Sequence, residues 1–514
     1  MKKNGSPEQV LLIFPPVAKP SEPPAGIAIL SAALAAYNVD HTLLDANLEG
    51  LLDLLKKPFT PVDTWTRRAY RNLSRNLSSL RSWQTYKNID TYKRAVLDIN
   101  RLLNIAGGER VRISLADYTD AHLSPVKSQD LLYAAGHPEE NPFFEYFSNR
   151  LPAIIRRDKT TVAGFSLNYL SQALTTFAMI GFLKQEFPDI TIVVGGSLVT
   201  SWMNRNHREG LFNGLIDHCV SGPGEYQLLR LLHKKPDKEM HLTPCYDSLP
   251  INNYLAPGLI LPYRSSIGCY WGKCSFCPEK AEGTSYEQIP PEKAAIDLRD
   301  LVARTKPALI HLVDNAMSPA LMQAICEQPP GAAWYGFARI TPHLTDPGFC
   351  MALRQSGCVM LKLGLESGDQ GVLDALHKGI DLATASLALQ TLKKAGIATY
   401  VYLLFGTPAE TRIEAQHTLD FVAHHAVEIR FMNIAIFNLP LNSPEATGLE
   451  TAGFYEGDLS LYTDFQHPQG WDRRSVREFL ETEFRRHPTI RPILNNHPPF
   501  FTSNHAPFFA GIGQ

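Results

Sequence analysis

Short apolar runs alternate along this chain with stretches of helical period. Val10–Phe14 leads through a proline-rich loop into a helical pattern over 27–37, and a second run follows at His41–Leu44. The alternation resumes with Thr161–Phe165, a helix over 172–186, Ile190–Val194, the pair Gly195-Gly196, another helix, and His218–Glu225. Buried runs of this length between helices predict a Rossmann-like, doubly wound parallel sheet of the α/β class. Ligands of such sheets sit over the carboxyl ends of the strands, and the Gly-, Pro- and Asn-rich turns all fall at that edge. Residues 55–157 interrupt the pattern with helical spacing over 65–80 and 92–103, so a mainly helical insertion is expected. Arg67, Arg68, Arg71 and Arg75 cluster there without neighbouring acids, as a solvated helical face or an anion-binding patch.

A second series starts at Ile260, with strands expected at 260–267, 308–313, 334–339, 359–365, 398–405 and 428–437. Six β/α units in one run predict a full or partial TIM-like (β/α)6 barrel whose chemistry lies at the strand carboxyl ends. The remainder, 443–514, is irregular and rich in Pro, His and Phe. Within it Asn496-His497-Pro-Pro-Phe-Phe501 is nearly repeated as Asn504-His505-Ala-Pro-Phe-Phe509. That tail either caps the site, bringing His497 or His505 to a substrate, or packs on the barrel. The expected division is 1–54 plus 158–235, the insertion 55–157, the barrel 236–442 and the extension 443–514.

With 514 residues, 44% hydrophobic and 19% charged, the chain reads as a well-buried protein of two or three domains. A net charge of −2 gives no global field towards nucleic acid or membrane, and neither partner is expected. The first apolar run is cut short by Pro15-Pro16 and none is long enough to span a bilayer, so a cytoplasmic location is expected. All eight cysteines fall between 219 and 358, which fits reduced thiols with one local metal site better than a disulfide framework.

The chemistry concentrates in Ser266-Ile-Gly-Cys269-Tyr-Trp-Gly-Lys-Cys274-Ser-Phe-Cys277-Pro278, just after the first strand of the second series. Three thiolates within nine residues converge on one centre only if the backbone loops around it, which Gly268 and Gly272 assist. Zinc would ask for a fourth N or S ligand. A 4Fe–4S cluster held by three cysteines leaves one iron open.

This stretch resembles the radical SAM superfamily, whose usual spacing is C-x3-C-x2-C with an aromatic before the last cysteine, here Phe276. The first gap here is four residues, which looks like a variant among cobalamin-binding members. The resemblance implies a 4Fe–4S cluster on Cys269, Cys274 and Cys277, and S-adenosylmethionine (SAM) at its open iron. It also implies SAM contacts from Gly364, Glu366 and Ser367 at the fourth strand end. Gly406, Thr407 and Pro408 would serve at the fifth, and Asp314 and Asn315 at the second. Arg339 ends the third strand and could pair with a carboxylate of SAM or substrate.

The first sheet is similar to the cobalamin-binding domain that precedes many radical SAM domains. The likeness rests on Pro15, Pro16 and Gly26, on Ser166, Asn168 and Tyr169, and on Gly195, Gly196, Gly222, Gly224 and Glu225. Asp45-Ala-Asn47-Leu-Glu-Gly50 has Asn where histidine-ligating cobalamin domains carry His, and it follows the second strand rather than the first. The implication is cobalamin without a protein histidine on cobalt, with the 166–169 loop a candidate for its lower face. Together these features imply a cobalamin-dependent radical SAM enzyme, a methyltransferase acting on an unactivated carbon through a 5′-deoxyadenosyl radical and methylcobalamin. An electron donor such as flavodoxin or ferredoxin would serve it. The alternatives are a cyclase or rearrangement enzyme with the same cofactors, and a non-catalytic cobalamin or SAM sensor.

Overall fold

The computed structural model describes residues 8–58, 63–204, 210–237, 240–441, 443–452, 457–499 and 505–510. Residues 1–7 of the expected first domain, and Phe500, Phe501 and Asn504 of the tail repeat, lie outside these. The chain divides into two units, Met1–Leu259 with Glu456–Leu461, and Ile260–Tyr455 with Tyr462–Gln514. Residues 236–259 thus belong with the first unit.

In the first unit, strands β1 (Val10–Phe14), β2 (His41–Asp45), β3 (Val162–Ser166), β4 (Thr191–Gly195) and β5 (His218–Val220) form a sheet of order β2-β1-β3-β4-β5. Every pairing in it is parallel. This is a doubly wound sheet as the run lengths predicted, and β1 and β3 are buried along their whole length because helices cover both faces. The order reverses between β1 and β3, which makes the loops after those two strands the topological switch point. Between β2 and β3 the helices Thr64–Leu80, Ile89–Ala106 and Phe144–Asp158 form the helical insertion. On the first of them Arg68 pairs with Asp98 at 2.8 Å while Arg67, Arg71 and Arg75 face solvent.

Asp45 and Asn47 explain the stretch that mimics a cobalt-ligand motif. Asp45 caps helix Ala46–Leu54, accepting from Leu48 N–H at 2.8 Å and from the Tyr254 hydroxyl at 2.7 Å. Asn47 Oδ1 accepts from Ala18 N–H at 2.8 Å and so fixes the loop after β1. Burial pushes the Asp45 carboxyl up to about 6. A folded value above the unfolded one means that stability carried by the protonated form is complete below about pH 4 and lost as pH rises through 6. Asp45→Asn keeps the cap without the titration. Its stability relative to wild type is expected to improve by roughly 2 kcal/mol between pH 4 and pH 8. Thermal melts across that range measure this; an unchanging gap would show that Asp45 stays ionised.

The second unit contains β6 (Ile260–Tyr263), β7 (Leu309–Met317), β8 (Trp334–Ala338), β9 (Cys358–Glu366), β10 (Ala398–Phe405) and β11 (Phe431–Ile436). They pair in parallel and in chain order, with no further pairing between β11 and β6 among the described residues. The architecture is therefore a partial (β/α)6 barrel. Side-chain caps start four intervening helices, on Ser318, Asp346, Asp369 and Asp381. Thr411 and Glu414 close a capping box on the next.

The tail packs on the barrel. His497 Nε2 donates to Met432 O at 2.7 Å, and His505 Nε2 lies 2.9 Å from His497 Nδ1. The His505 ring stands 4.6 Å from both the Tyr400 and Phe431 rings. These partners sit in the amino-terminal halves of β10 and β11, so neither histidine is placed at the carboxyl-end chemistry. No helix among the described residues is long and apolar enough to cross a membrane.

Candidate active site

The cysteine loop leaves β6 through the two-residue strand Ser266–Ile267 and turns at Gly268 (φ 70°) and Gly272 (φ 61°). Both are left-handed positions that glycine adopts without strain. Asp314, buried in the second half of β7, anchors the start of this loop. It accepts from Ser265 N–H at 3.0 Å, Ser265 Oγ at 2.8 Å and Ser266 Oγ at 2.6 Å. Its carboxylate is thus committed to the loop, while Asn315 beside it is exposed. The far end of the loop is held by Ser275 N–H donating to Leu376 O at 3.0 Å.

Cys274 is buried, and Cys269 and Cys277 are half-buried. Among the described residues no three His, Cys, Asp or Glu side chains meet at a point that a single ion would fill. Three cysteines of a cubane bind three different irons, so the requirement for a cluster is a looser triangle around a larger body. Cys274 and Cys277 each have groups beside them that oppose the effect of burial. Burial pushes the Cys274 thiol up, and Lys378 and Arg339 pull it back. Burial likewise raises Cys277, opposed by the N–H groups of Lys280 and Glu279. Cys326 and Cys350, by contrast, are pushed up to about 11 by burial without any cation beside them. Thiols on a turning loop, with cations and N–H donors at hand, fit an anionic cluster.

Strand irregularities aim the remaining groups. The β9–β10 register shifts between Gly364 and Glu366, and Glu366 takes φ 70°, a left-handed conformation unusual for a side-chain-bearing residue. Its carboxylate accepts from Lys378 Nζ at 2.8 Å. A Cβ at Gly364 would stand 2.6 Å from Glu366 Oε1 and 2.8 Å from Lys378 Nζ, so this glycine makes room for the ion pair. Arg339, buried after β8, sends Nη1 to 3.9 Å from Cys274 Sγ and Nη2 to Lys378 O. Cys274, Arg339, Glu366 and Lys378 therefore form one connected group, with Phe276 included through the Lys378 amine 5.4 Å from its ring.

Other expected positions serve the scaffold. Ser367 Oγ contacts Thr418 Oγ1 at 3.1 Å, and a Cβ on Gly368 would meet Thr418 Cα at 2.7 Å, so that glycine admits the helix Arg412–His424. Gly406 N–H donates to Glu410, and Thr407 O accepts from His467 Nε2 at 2.8 Å. Phe337, Tyr402, Leu404, Asn433 and Ala435 are half-exposed and share one face of the sheet by register, which makes them the lining of the barrel mouth. Lys378, Trp271 and this lining were not singled out from sequence. Period-two counting back from Arg339 and Glu366 reaches Phe337 and Gly364, whereas Lys378 lies in a turn with no such signal.

At the first sheet, Gln172 joins the two switch-point loops. Its Nε2 donates to Pro15 O at 2.7 Å, and its Oε1 accepts from Asn168 N–H at 2.9 Å and Tyr169 N–H at 3.1 Å. Pro15, Pro16 and Ser166 are buried beneath, while Gly26, Tyr169 and Gly222 are exposed. Asn168 Oδ1 accepts from Ser197 N–H at 3.1 Å. Gly196 (φ 113°) is required there, since a Cβ would lie 2.4 Å from Leu167 O. A Cβ on Gly222 would meet nothing within 4 Å, so that turn presents bare backbone above the strand ends. Gly195, Gly224 and Glu225 flank it, half-buried. This floor suits a broad, flat ligand such as a corrin, and Tyr169 is the exposed ring beside it.

The second unit is thus a partial barrel with a three-cysteine loop after its first strand, and a Rossmann-like unit precedes it in the sequence. Residues 263–422 match the radical SAM superfamily. An uncharacterized methyltransferase of Pyrococcus horikoshii is 25% identical over 202 residues, 37% of this chain and 43% of the relative. The anaerobic magnesium-protoporphyrin IX monomethyl ester cyclase of Rubrivivax gelatinosus is 24% identical over 351 residues, 59% of this chain and 61% of the relative. The chain thus spans about half the length of these curated relatives. Among solved structures, the radical SAM methyltransferase TsrM of Kitasatospora setae superposes with a TM-score of 0.52 at 15% identity, covering 87% of this chain and 78% of TsrM. The cobalamin-dependent radical enzyme OxsB gives 0.56 at 13% identity, covering 93% and 67%. At these identities the likeness is one of fold.

Proposed function

We propose that this protein is a cobalamin-dependent radical SAM methyltransferase acting on an unactivated carbon. The observation that carries the reading is the conjunction of two sites on one chain. One is a cysteine loop wired to a cation pair; the other is a switch-point floor of bare backbone with no histidine in the Asn47 position. Cys269, Cys274 and Cys277 would hold a 4Fe–4S cluster, and Glu366, Arg339 and the Gly406–Pro408 turn would receive SAM. Gly26, Tyr169, Gly196 and Gly222 would lie against cobalamin. Bound there, the cofactors supply reductive cleavage of SAM to a carbon radical source and a transferable methyl group. The chain's own part is to orient and to exclude water. Lys378 fixes the Glu366 carboxylate, Asp314 fixes the root of the cysteine loop, and His467 and Trp471 of the tail hold the segment after β10. An external single-electron donor, of flavodoxin or ferredoxin type, completes the requirement.

The likeness to the magnesium-protoporphyrin ester cyclase favours a second reading, in which the same cofactors drive ring closure without net methyl transfer. Anaerobic reconstitution with iron, sulfide, cobalamin, reductant and methyl-deuterated SAM separates the two. The methyltransferase should show iron–sulfur and corrinoid absorption, form 5′-deoxyadenosine, and carry deuterated methyl into product. Product lacking the label, beside undiminished 5′-deoxyadenosine, would leave the cyclase. Neither absorption nor SAM cleavage would sink both.

A further inference from the structure

Trp271 occupies the first gap of the cysteine loop and is held on several sides. Its Nε1–H donates to His377 O at 3.0 Å. The Arg339 guanidinium stacks 4.2 Å from its ring centroid, and Lys273 Nζ lies 4.8 Å from it. The remaining contact is Gly379, at φ 63°, where a Cβ would stand 2.2 Å from the indole Cζ2. A side chain at 379 is therefore excluded by the ring and by the backbone conformation together. With Ser275 N–H on Leu376 O, the loop is fastened to the turn Leu376–Gly379 at both its middle and its end.

That turn carries Lys378, whose surroundings this fastening fixes. The amine meets Glu366 Oε1 at 2.8 Å, the backbone oxygen accepts from Arg339, and Arg339 reaches to 3.9 Å from Cys274 Sγ. Lys378 and Arg339 are each 6% exposed, so their charges act through a medium far less screening than water. The potential of an iron–sulfur cluster follows the net charge and the donors around its sulfurs.

We infer that Lys378 and Arg339 set the reduction potential of the cluster, and that Trp271, locked on Gly379, is the positioning residue that holds both cations in place. This rests on the cluster assignment under Proposed function. It gives the four-residue first gap a purpose: the gap delivers an indole to the turn that carries the lysine.

The test is a redox titration of the reconstituted full chain without SAM, following the electron paramagnetic resonance of the reduced cluster. Lys378→Met removes a positive charge and should move the midpoint to more negative potential, while Lys378→Arg should stay near wild type. Glu366→Gln removes a neighbouring negative charge and should move it the opposite way. Trp271→Ala should follow Lys378→Met in sign, and Trp271→Phe, which keeps a ring on Gly379, should follow wild type. An unchanged midpoint in a fully loaded Lys378→Met chain would overturn the charge effect; a positive shift in Trp271→Ala would overturn the positioning. If Lys378→Met fails to load, loading of Lys378→Arg supports the inference and failure of both overturns it. Failure of the wild-type chain to assemble a cluster strikes the cluster assignment itself, and this inference with it.

Discussion

Cys274→Ala should abolish the iron–sulfur absorption of the reconstituted protein and all 5′-deoxyadenosine formation. Three thiolates would anchor three of the four irons, so removing one takes away an anchor of the cubane rather than weakening a contact. Cys274 is the proposed ligand that stands beside the cation pair. It is buried, it faces Arg339 Nη1 at 3.9 Å, and Lys378 and Arg339 both act on its thiol. Alanine leaves those cations facing a void. Cys350→Ala is the matched control, a buried thiol whose Sγ lies 3.3 Å from Leu344 O and which has no cation beside it. It should cost roughly 1 kcal/mol of stability, as for a small buried side chain, and leave cluster and SAM cleavage intact. Retention of either signal in Cys274→Ala would refute the ligand set.

The two alternating series were legible because parallel sheets bury both faces of each strand, which turns strands into short apolar runs with helices between. Five runs in the first unit and six in the second appear where the sequence places them, within a few residues at each end. The open edge between β11 and β6 was not legible, since closure depends on strand tilt and stagger rather than on the content of any one run. Cys274, Arg339 and Glu366 stand out in the sequence because they lie at or just after strand carboxyl ends, and the structure connects them to one another through Lys378. Lys378 does not stand out, because its role is created by the turn that packs against Trp271. Asp314 and Ser367 show the opposite difficulty: nothing in the sequence tells that Asp314 accepts from Ser265 and Ser266, or that Ser367 meets Thr418.

Glu410 carries the second large effect, on stability and its pH dependence. It follows the β10 strand end, is fully buried, and accepts through Oε2 from Gly406 N–H and from Trp471 Nε1–H, the latter at 3.0 Å. Its Oε1 has no partner among the described residues. Burial pushes this carboxyl up to about 8, with Glu414 and Asp369 adding repulsion against the partial relief of its hydrogen bonds. The folded value lies above the ordinary carboxyl value near 4.5, so the folded state binds the proton more tightly than the unfolded one. Stability from the protonated group is therefore complete below about pH 4.5 and is lost as pH rises through 8. The loss is of order 3–5 kcal/mol across that span. Glu410→Gln keeps an acceptor for Gly406 and Trp471 and has nothing to titrate. Thermal melts should show it close to wild type at pH 5 and clearly more stable at pH 9. Glu410→Ala, which leaves the Gly406 and Trp471 donors unpaired, should be destabilised at both. Parallel wild-type and Gln curves across the range would mean that the buried carboxyl is already ionised, with a counter-charge that this arrangement does not contain.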